Sequence, residues 1–122
     1  MSGMKKLENF FNLLQVLSYG KTQAKTADQL FNYFNHKSIS EFKRKLRLVS
    51  QEARLQGHWV VGDENGYYLA LTKEEWQAYR NKRLSAINTE LKAIANCDKI
   101  SFSDLIKNVY AVSQTDNNYS LF

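Results

Sequence analysis

Proline is absent from this chain of 122 residues, glycine occurs five times and cysteine once. Without proline no rigid linker is marked, and without Gly or Pro between Lys73 and Asn96 nothing interrupts a long helix there. A lone Cys97 has no partner for an internal disulfide, which predicts a reducing, cytoplasmic setting. Neither a run of about 18 apolar residues nor a charged-then-apolar leader is present, so membrane spanning and secretion are not expected. His36 and His58 stand apart from each other and from Cys97, without metal-ligand spacing, and Asp63-x-Asn65-Gly66 lacks the later ligands of a calcium loop. No metal or cofactor is expected. A phosphate-cradling glycine loop, a nucleophile elbow and paired-carboxylate spacing are all missing, so the chain does not read as an enzyme. Glu41, Glu74 and Glu75 read as helix-start acids facing the macrodipole.

What is present is a core-forming composition and an uneven charge. With 43% hydrophobic and 13% aromatic residues the chain can bury a core, and its length suits one domain. Residues 21–57 hold eight Lys/Arg against three acids, so the whole net charge of +5 sits in that stretch. A solvated surface ordinarily intersperses its signs; this clustering points to a polyanionic partner.

Periodicity orders the chain. From Leu7 to Leu17, the residues Leu7, Phe10, Phe11, Leu14 and Leu17 fall on one side of a helix, and Gly20 follows as a stop. Thr26-Ala-Asp-Gln29 has capping-box form, opening a second helix from Ala27 to about Asn35 that buries Leu30, Phe31 and Phe34. Ser38 or Ser40 caps a third helix. Its residues Ile39, Phe42, Leu46, Val49 and Ala53 lie within an arc of about 80°, while Ser40, Lys43, Arg44, Arg47, Gln51 and Arg54 share an adjoining polar arc. Leu48 and Leu55 fit neither face.

Gly57 ends that helix, and Asn65-Gly66 supplies the dipeptide that a type I′ hairpin turn needs. Val60, Tyr67, Leu69 and Leu71 then share one hairpin face, and Trp59, Val61, Tyr68 and Ala70 the other, so both faces require cover. Thr72-Lys-Glu-Glu75 is a second capping box, opening a helix from Lys73 to about Asn96 with a seam of Trp76, Tyr79, Leu84, Ile87, Leu91 and Ile94. A last helix carries Phe102, Leu105, Ile106, Val109 and Tyr110. The expected fold class is α+β and mainly helical, with residues 5–72 as three helices plus a hairpin, 73–112 as a helical extension and 113–122 as a polar tail.

The major groove of B-form DNA admits one helix and presents a full donor and acceptor code, so a reader needs a helix held from behind with long polar side chains in front. The third helix fits. Ser40, Lys43, Arg44 and Arg47 are the expected DNA-facing residues, with Arg44 or Arg47 suited to guanine and Lys43 to phosphate. Lys25 and Thr26, at the start of the second helix, are the expected phosphate contacts, and Lys37, before the third, is a further expected DNA-binding residue.

The glycine after this helix, the Gly66-Tyr67-Tyr68-Leu69 strand and the Thr72-Lys73-Glu74-Glu75 helix start resemble the winged helix-turn-helix domain of biotin-operon-repressor-like regulators and small phage DNA-binding proteins. The likeness covers about residues 7–80. It implies a winged-helix fold binding double-stranded DNA, in a transcriptional regulator or a replication accessory factor of a phage or mobile element. Its hairpin tip, Asp63-Glu64-Asn65, is acidic where wings usually carry Arg or Lys, so the tip is assigned no DNA contact.

Two further expectations concern partners. The end Asn118-Tyr119-Ser120-Leu121-Phe122 is similar to the peptide that docks on bacterial sliding clamps, with Asn118 and Tyr119 replacing the usual Gln and Leu. That likeness implies a clamp contact through Leu121 and Phe122; folding of the tail onto its own domain is the competing reading. The helix over residues 73–96 either pairs with a second copy as a homodimer or folds back on the hairpin. The alternative to DNA binding is a protein-interaction adaptor on the same fold.

Overall fold

A computed structural model describes residues 5–115, with side chains through residue 111. The chain is α+β and mainly helical: α1 (Phe10–Val16), a 3-10 turn (Lys21–Gln23), α2 (Ala27–Phe31), α3 (Ile39–Leu55), an antiparallel hairpin of β1 (Val60–Asp63) and β2 (Gly66–Leu69), then α4 (Lys73–Asp98) and α5 (Phe102–Thr115). Contacts divide it into two units, residues 1–79 and 80–122.

In the first unit α3 is the spine. Phe42, Leu46, Val49 and Ala53 are buried with Leu13, Leu17, Leu30, Phe34, Val60 and Leu69, as the stripe on its wheel requires. Glu52 Oε1 of α3 accepts the Phe10 N–H at 3.1 Å, satisfying an orphan donor at the start of α1. That start is three residues later than the periodicity suggests, because Asn9 and Asn12 form a reciprocal cap. Leu7 is buried outside the helix, its N–H donating to His36 Nε2 at 2.9 Å. Phe11, expected on the core face, is exposed, and Leu13 takes the fully buried place.

The second helix is also shorter than expected. It stops at Phe31, and the Asn35 N–H bonds to the Lys5 carbonyl at 2.9 Å instead of continuing a helical ladder. Leu30 and Phe34 are buried nonetheless. Ser38, not Ser40, caps α3. At its far end the Gly57 N–H bonds to Arg54 O and the His58 N–H to Ala53 O, a Schellman closure with Gly57 at φ +91°.

The hairpin pairs Val60 with Leu69 and Asp63 with Gly66, leaving Glu64 and Asn65 as the turn. Positive φ falls on Gly66, at +117°, and not on Asn65, so the expected Asn65-Gly66 type I′ pair is displaced by one residue. The residues preceding α2 run along the free edge of β2: Lys25 and Tyr67 exchange backbone hydrogen bonds of 3.0 and 2.8 Å, and Gly20 and Ser18 bond to Leu69. Close approach there explains the glycine, since a Cβ on Gly66 would lie 2.5 Å from the Lys25 carbonyl oxygen. The two hairpin faces divide as their alternation predicts. Val60 and Leu69 enter the α3 core, while Val61, Tyr68 and Ala70 pack with Trp76, Tyr79 and Ala24. Leu71, assigned to the core face, is exposed.

Thr72 Oγ1 accepts the Glu75 N–H at 3.2 Å, and the Thr72 backbone N–H in turn helps to hold the charged form of the Glu75 carboxylate, which reaches beyond the cap. That carboxylate takes the N–H groups of Leu71 and Lys21 at 2.7 and 3.2 Å, tying the 3-10 turn to the start of α4. In the second unit α4 continues to Asp98, past the expected break at Asn96, and closes through Lys99 at φ +59°. Ser101 Oγ then accepts the Asp104 N–H to start α5. Among the described residues no helix is long and apolar enough to cross a membrane.

Candidate nucleic-acid interface

The buried stripe of α3 fixes which side chains its other face presents. With Phe42 and Leu46 fully buried, Lys43, Arg44 and Arg47 emerge on exposed positions, and Ser40 is exposed in the first turn with Lys37 just outside it. The backbone under these cations is held by five buried residues of one helix, so their Cβ atoms are fixed while their long side chains remain free to adjust.

Three neighbourhoods subdivide that face. Lys43 Nζ lies 3.7 Å from Asp28 Oδ1, joining α3 to α2 through an exposed pair worth at most about 1 kcal/mol. Such a contact yields readily to a phosphate. Arg44 shares the wall of a cavity of about 270 Å³ with Lys6, Lys45, His36, Glu41 and Leu48. Arg47 lies toward the hairpin: burial raises the pKa of Tyr67, and the positive charges of Arg54 and Arg47 oppose that rise.

Arg54 belongs elsewhere, although the helical wheel puts it with the cations. Its Nε donates to the Val60 carbonyl at 2.7 Å and its guanidinium sits 5.2 Å from the centre of the Tyr79 ring. It fastens α3 to the hairpin and to the first turns of α4.

Lys25 and Thr26 are placed beside β2. Lys25 Nζ donates to Ser18 Oγ at 2.9 Å, and the residue edges an open cleft of about 440 Å³ with Gln29, Asn32 and Tyr33. Thr26 caps α2 in the reciprocal manner its sequence predicts, and its own N–H is taken by Gln29 Oε1 at 2.8 Å. At the hairpin tip Asp63 is occupied by structure, accepting the Asn65 N–H at 2.8 Å and the Tyr68 hydroxyl at 3.2 Å. Burial and the Asp63 charge together push the Tyr68 pKa up to about 12.

Lys6 and Lys45 are the residues that motif reasoning passed over. Lys6 lines the same cavity as Arg44, on a segment whose Lys5 bridges to Phe34, a pairing across 29 residues that no local pattern announces. Lys45 was legible only as one more charge on a basic helix. Leu48 lines the same cavity and Leu55 is exposed, which accounts for neither fitting the core stripe. His36 serves as acceptor for Leu7 with Nδ1 3.8 Å from Glu41, and His58 packs 5.5 Å from the Phe10 ring. Leu121 and Phe122 lie outside the described residues. The chain matches no family model, and neither a curated protein nor a solved structure is significantly similar to it.

Proposed function

We propose that this protein binds double-stranded DNA by inserting α3 into the major groove, as a transcriptional regulator or replication accessory factor of a phage or mobile element. One observation carries the reading: Lys43, Arg44 and Arg47 are exposed on a helix whose core stripe of Phe42, Leu46, Val49 and Ala53 is buried. A winged helix-turn-helix scaffold is supported by the order α1, edge segment 18–25, α2, α3 and hairpin, with that edge segment bonded to β2. In this reading Arg44 and Arg47 meet bases, while Lys43, Lys37, Lys25 and Lys6 meet phosphates, and the acidic tip stays out of the minor groove.

Fluorescence anisotropy on short labelled duplexes tests it. Four or five phosphate contacts give a log Kd against log salt slope of about 4, from roughly 0.9 per phosphate. Arg44→Ala with Arg47→Ala weakens binding at least about tenfold on the preferred duplex, since a bidentate base contact is worth about 1–3 kcal/mol. Unchanged affinity of that double variant on every duplex tried removes α3 as the reading helix.

A second reading has its own observation. Phe11, Tyr19, Leu55 and Leu71 are exposed in the first unit, which also holds an apolar cavity of about 400 Å³ lined in part by Leu14, Leu17 and Trp59. Apolar surface of that kind suits a protein-interaction adaptor. Absence of DNA binding at low salt, with a stable protein partner recovered, favours the adaptor.

A further inference from the structure

Lys6, Arg44 and Lys45 line the cavity of about 270 Å³ between residues 6–8 and α3, and none of the three makes a hydrogen bond or ion pair with another described residue. Glu8 and Glu41 stand in the same wall, and neither is paired with one of these cations. His36, also in that wall, supplies a second observation. Its side chain is only 8% exposed, and Nε2 accepts the Leu7 N–H at 2.9 Å, so the proton of a neutral ring sits on Nδ1. The facing acceptor, Glu41 Oε1, is 3.8 Å away, beyond hydrogen-bond reach. A donor so enclosed and left short of an acceptor calls for an oxygen between the two. Because that oxygen must accept from Nδ1 and donate to a carboxylate, it belongs to a hydroxyl. Glu41, 55% exposed, has room to turn toward it.

We propose that this cavity binds a small phosphorylated alcohol, its phosphate held by Lys6, Arg44 and Lys45 and a neighbouring hydroxyl bridging His36 Nδ1 to Glu41. Three cationic side chains suit the three terminal oxygens of a phosphate monoester, whereas a carboxylate offers two. The volume equals about nine waters at about 30 Å³ each, which matches a molecule of roughly ten non-hydrogen atoms such as glycerol 3-phosphate. The acids set selectivity. Glu8 and Glu41 repel a bare anion, and Glu41 turns from a penalty into a contact only for a ligand whose hydroxyl donates to it. This binding needs no nucleic acid, so its failure and that of the DNA reading are measured separately. Where both hold, ligand and duplex compete for Lys6 and Arg44.

Isothermal titration calorimetry of the full chain without DNA, at low ionic strength, is the test, with glycerol 3-phosphate, inorganic phosphate, glycerate and glycerol as probes. Glycerol 3-phosphate binds with a Kd below about 1 mM, at least about tenfold tighter than inorganic phosphate or glycerate, and glycerol gives no heat of binding. Lys45→Ala weakens glycerol 3-phosphate and inorganic phosphate alike, by about tenfold. Glu41→Ala separates the two: it weakens glycerol 3-phosphate about tenfold and leaves inorganic phosphate unchanged or tighter, with helical circular dichroism retained. Absence of glycerol 3-phosphate binding up to about 10 mM overturns the proposal. So does inorganic phosphate binding as tightly, the mark of a plain anion site. Glycerate binding as tightly overturns the phosphate assignment, and a tighter hold on glycerol 3-phosphate after Glu41→Ala overturns the hydroxyl bridge.

Discussion

Replacing Gly66 by alanine sets a methyl carbon 2.5 Å from the Lys25 carbonyl oxygen, 2.7 Å from its carbon and 3.0 Å from the Thr26 nitrogen. All three are backbone atoms, so no side chain can swing away. The φ of +117° adds a penalty of about 1–3 kcal/mol for a residue with a Cβ. Relief of the clash must lengthen the paired Lys25–Tyr67 hydrogen bonds, at about 0.5–1.5 kcal/mol each, on top of about 1–3 kcal/mol for overpacking. The total is about 3–9 kcal/mol, a drop of at least roughly 12 °C in a domain of this size. Gly57 provides the control. Its φ of +91° is similarly unsuited to alanine, but a Cβ there meets nothing within 4 Å, so Gly57→Ala costs only about 1–2 kcal/mol. Urea denaturation followed by far-ultraviolet circular dichroism compares the two. Equal losses, or a smaller loss at Gly66, refute the argument that the edge segment is pressed against β2.

Three other perturbations follow from single side chains. The Leu71 and Lys21 N–H groups hold the Glu75 carboxyl below its ordinary pKa of 4.5, so its contribution to stability is complete above that range and disappears as pH falls through the lowered value. The stability gap between wild type and Glu75→Gln therefore narrows on acidification, and a gap constant with pH contradicts the assignment. Tyr68, with its pKa pushed up to about 12, favours the folded state below pH 10 and loses that contribution as pH rises from 10 through 12; phenolate absorbance should show a late step near pH 12 that Tyr68→Phe removes, leaving the raised titration of Tyr67 in place. Ser50 Oγ is buried without a hydrogen-bond partner, so Ser50→Ala is neutral or stabilising by up to about 1 kcal/mol, and a loss beyond about 1 kcal/mol means that the hydroxyl is satisfied in solution.

Local chemistry made much of the first unit legible. The α3 stripe, the Thr26–Gln29 cap and the division of hairpin faces are properties of residues close in sequence, and each is found where periodicity or capping places it. Features set by distant backbone were not legible. Nothing near Leu7 reveals that its N–H meets His36, nothing near Asn35 that its N–H meets Lys5, and those two bonds accompany the late start of α1 and the early end of α2. The turn slipped for the same reason: Asn-Gly suits a type I′ turn in isolation, but Gly66 is spent on the approach of Lys25. Within the candidate site, the exposure of Lys43, Arg44 and Arg47 followed from the wheel, whereas the capture of Arg54 by Val60 and Tyr79 did not.

Both tryptophans of the chain belong to one spot. Trp59, before β1, and Trp76, in the second turn of α4, lie nearly parallel with ring centres 6.1 Å apart, and Tyr79 adjoins the pair. Native indole emission from this protein is therefore a single-site gauge of whether α4 is seated on the hairpin, blind to the α3 core except through the hairpin they share. If that seat loosens before the core melts, fluorescence will change ahead of circular dichroism, and the protein will report on its own order of disassembly without a label.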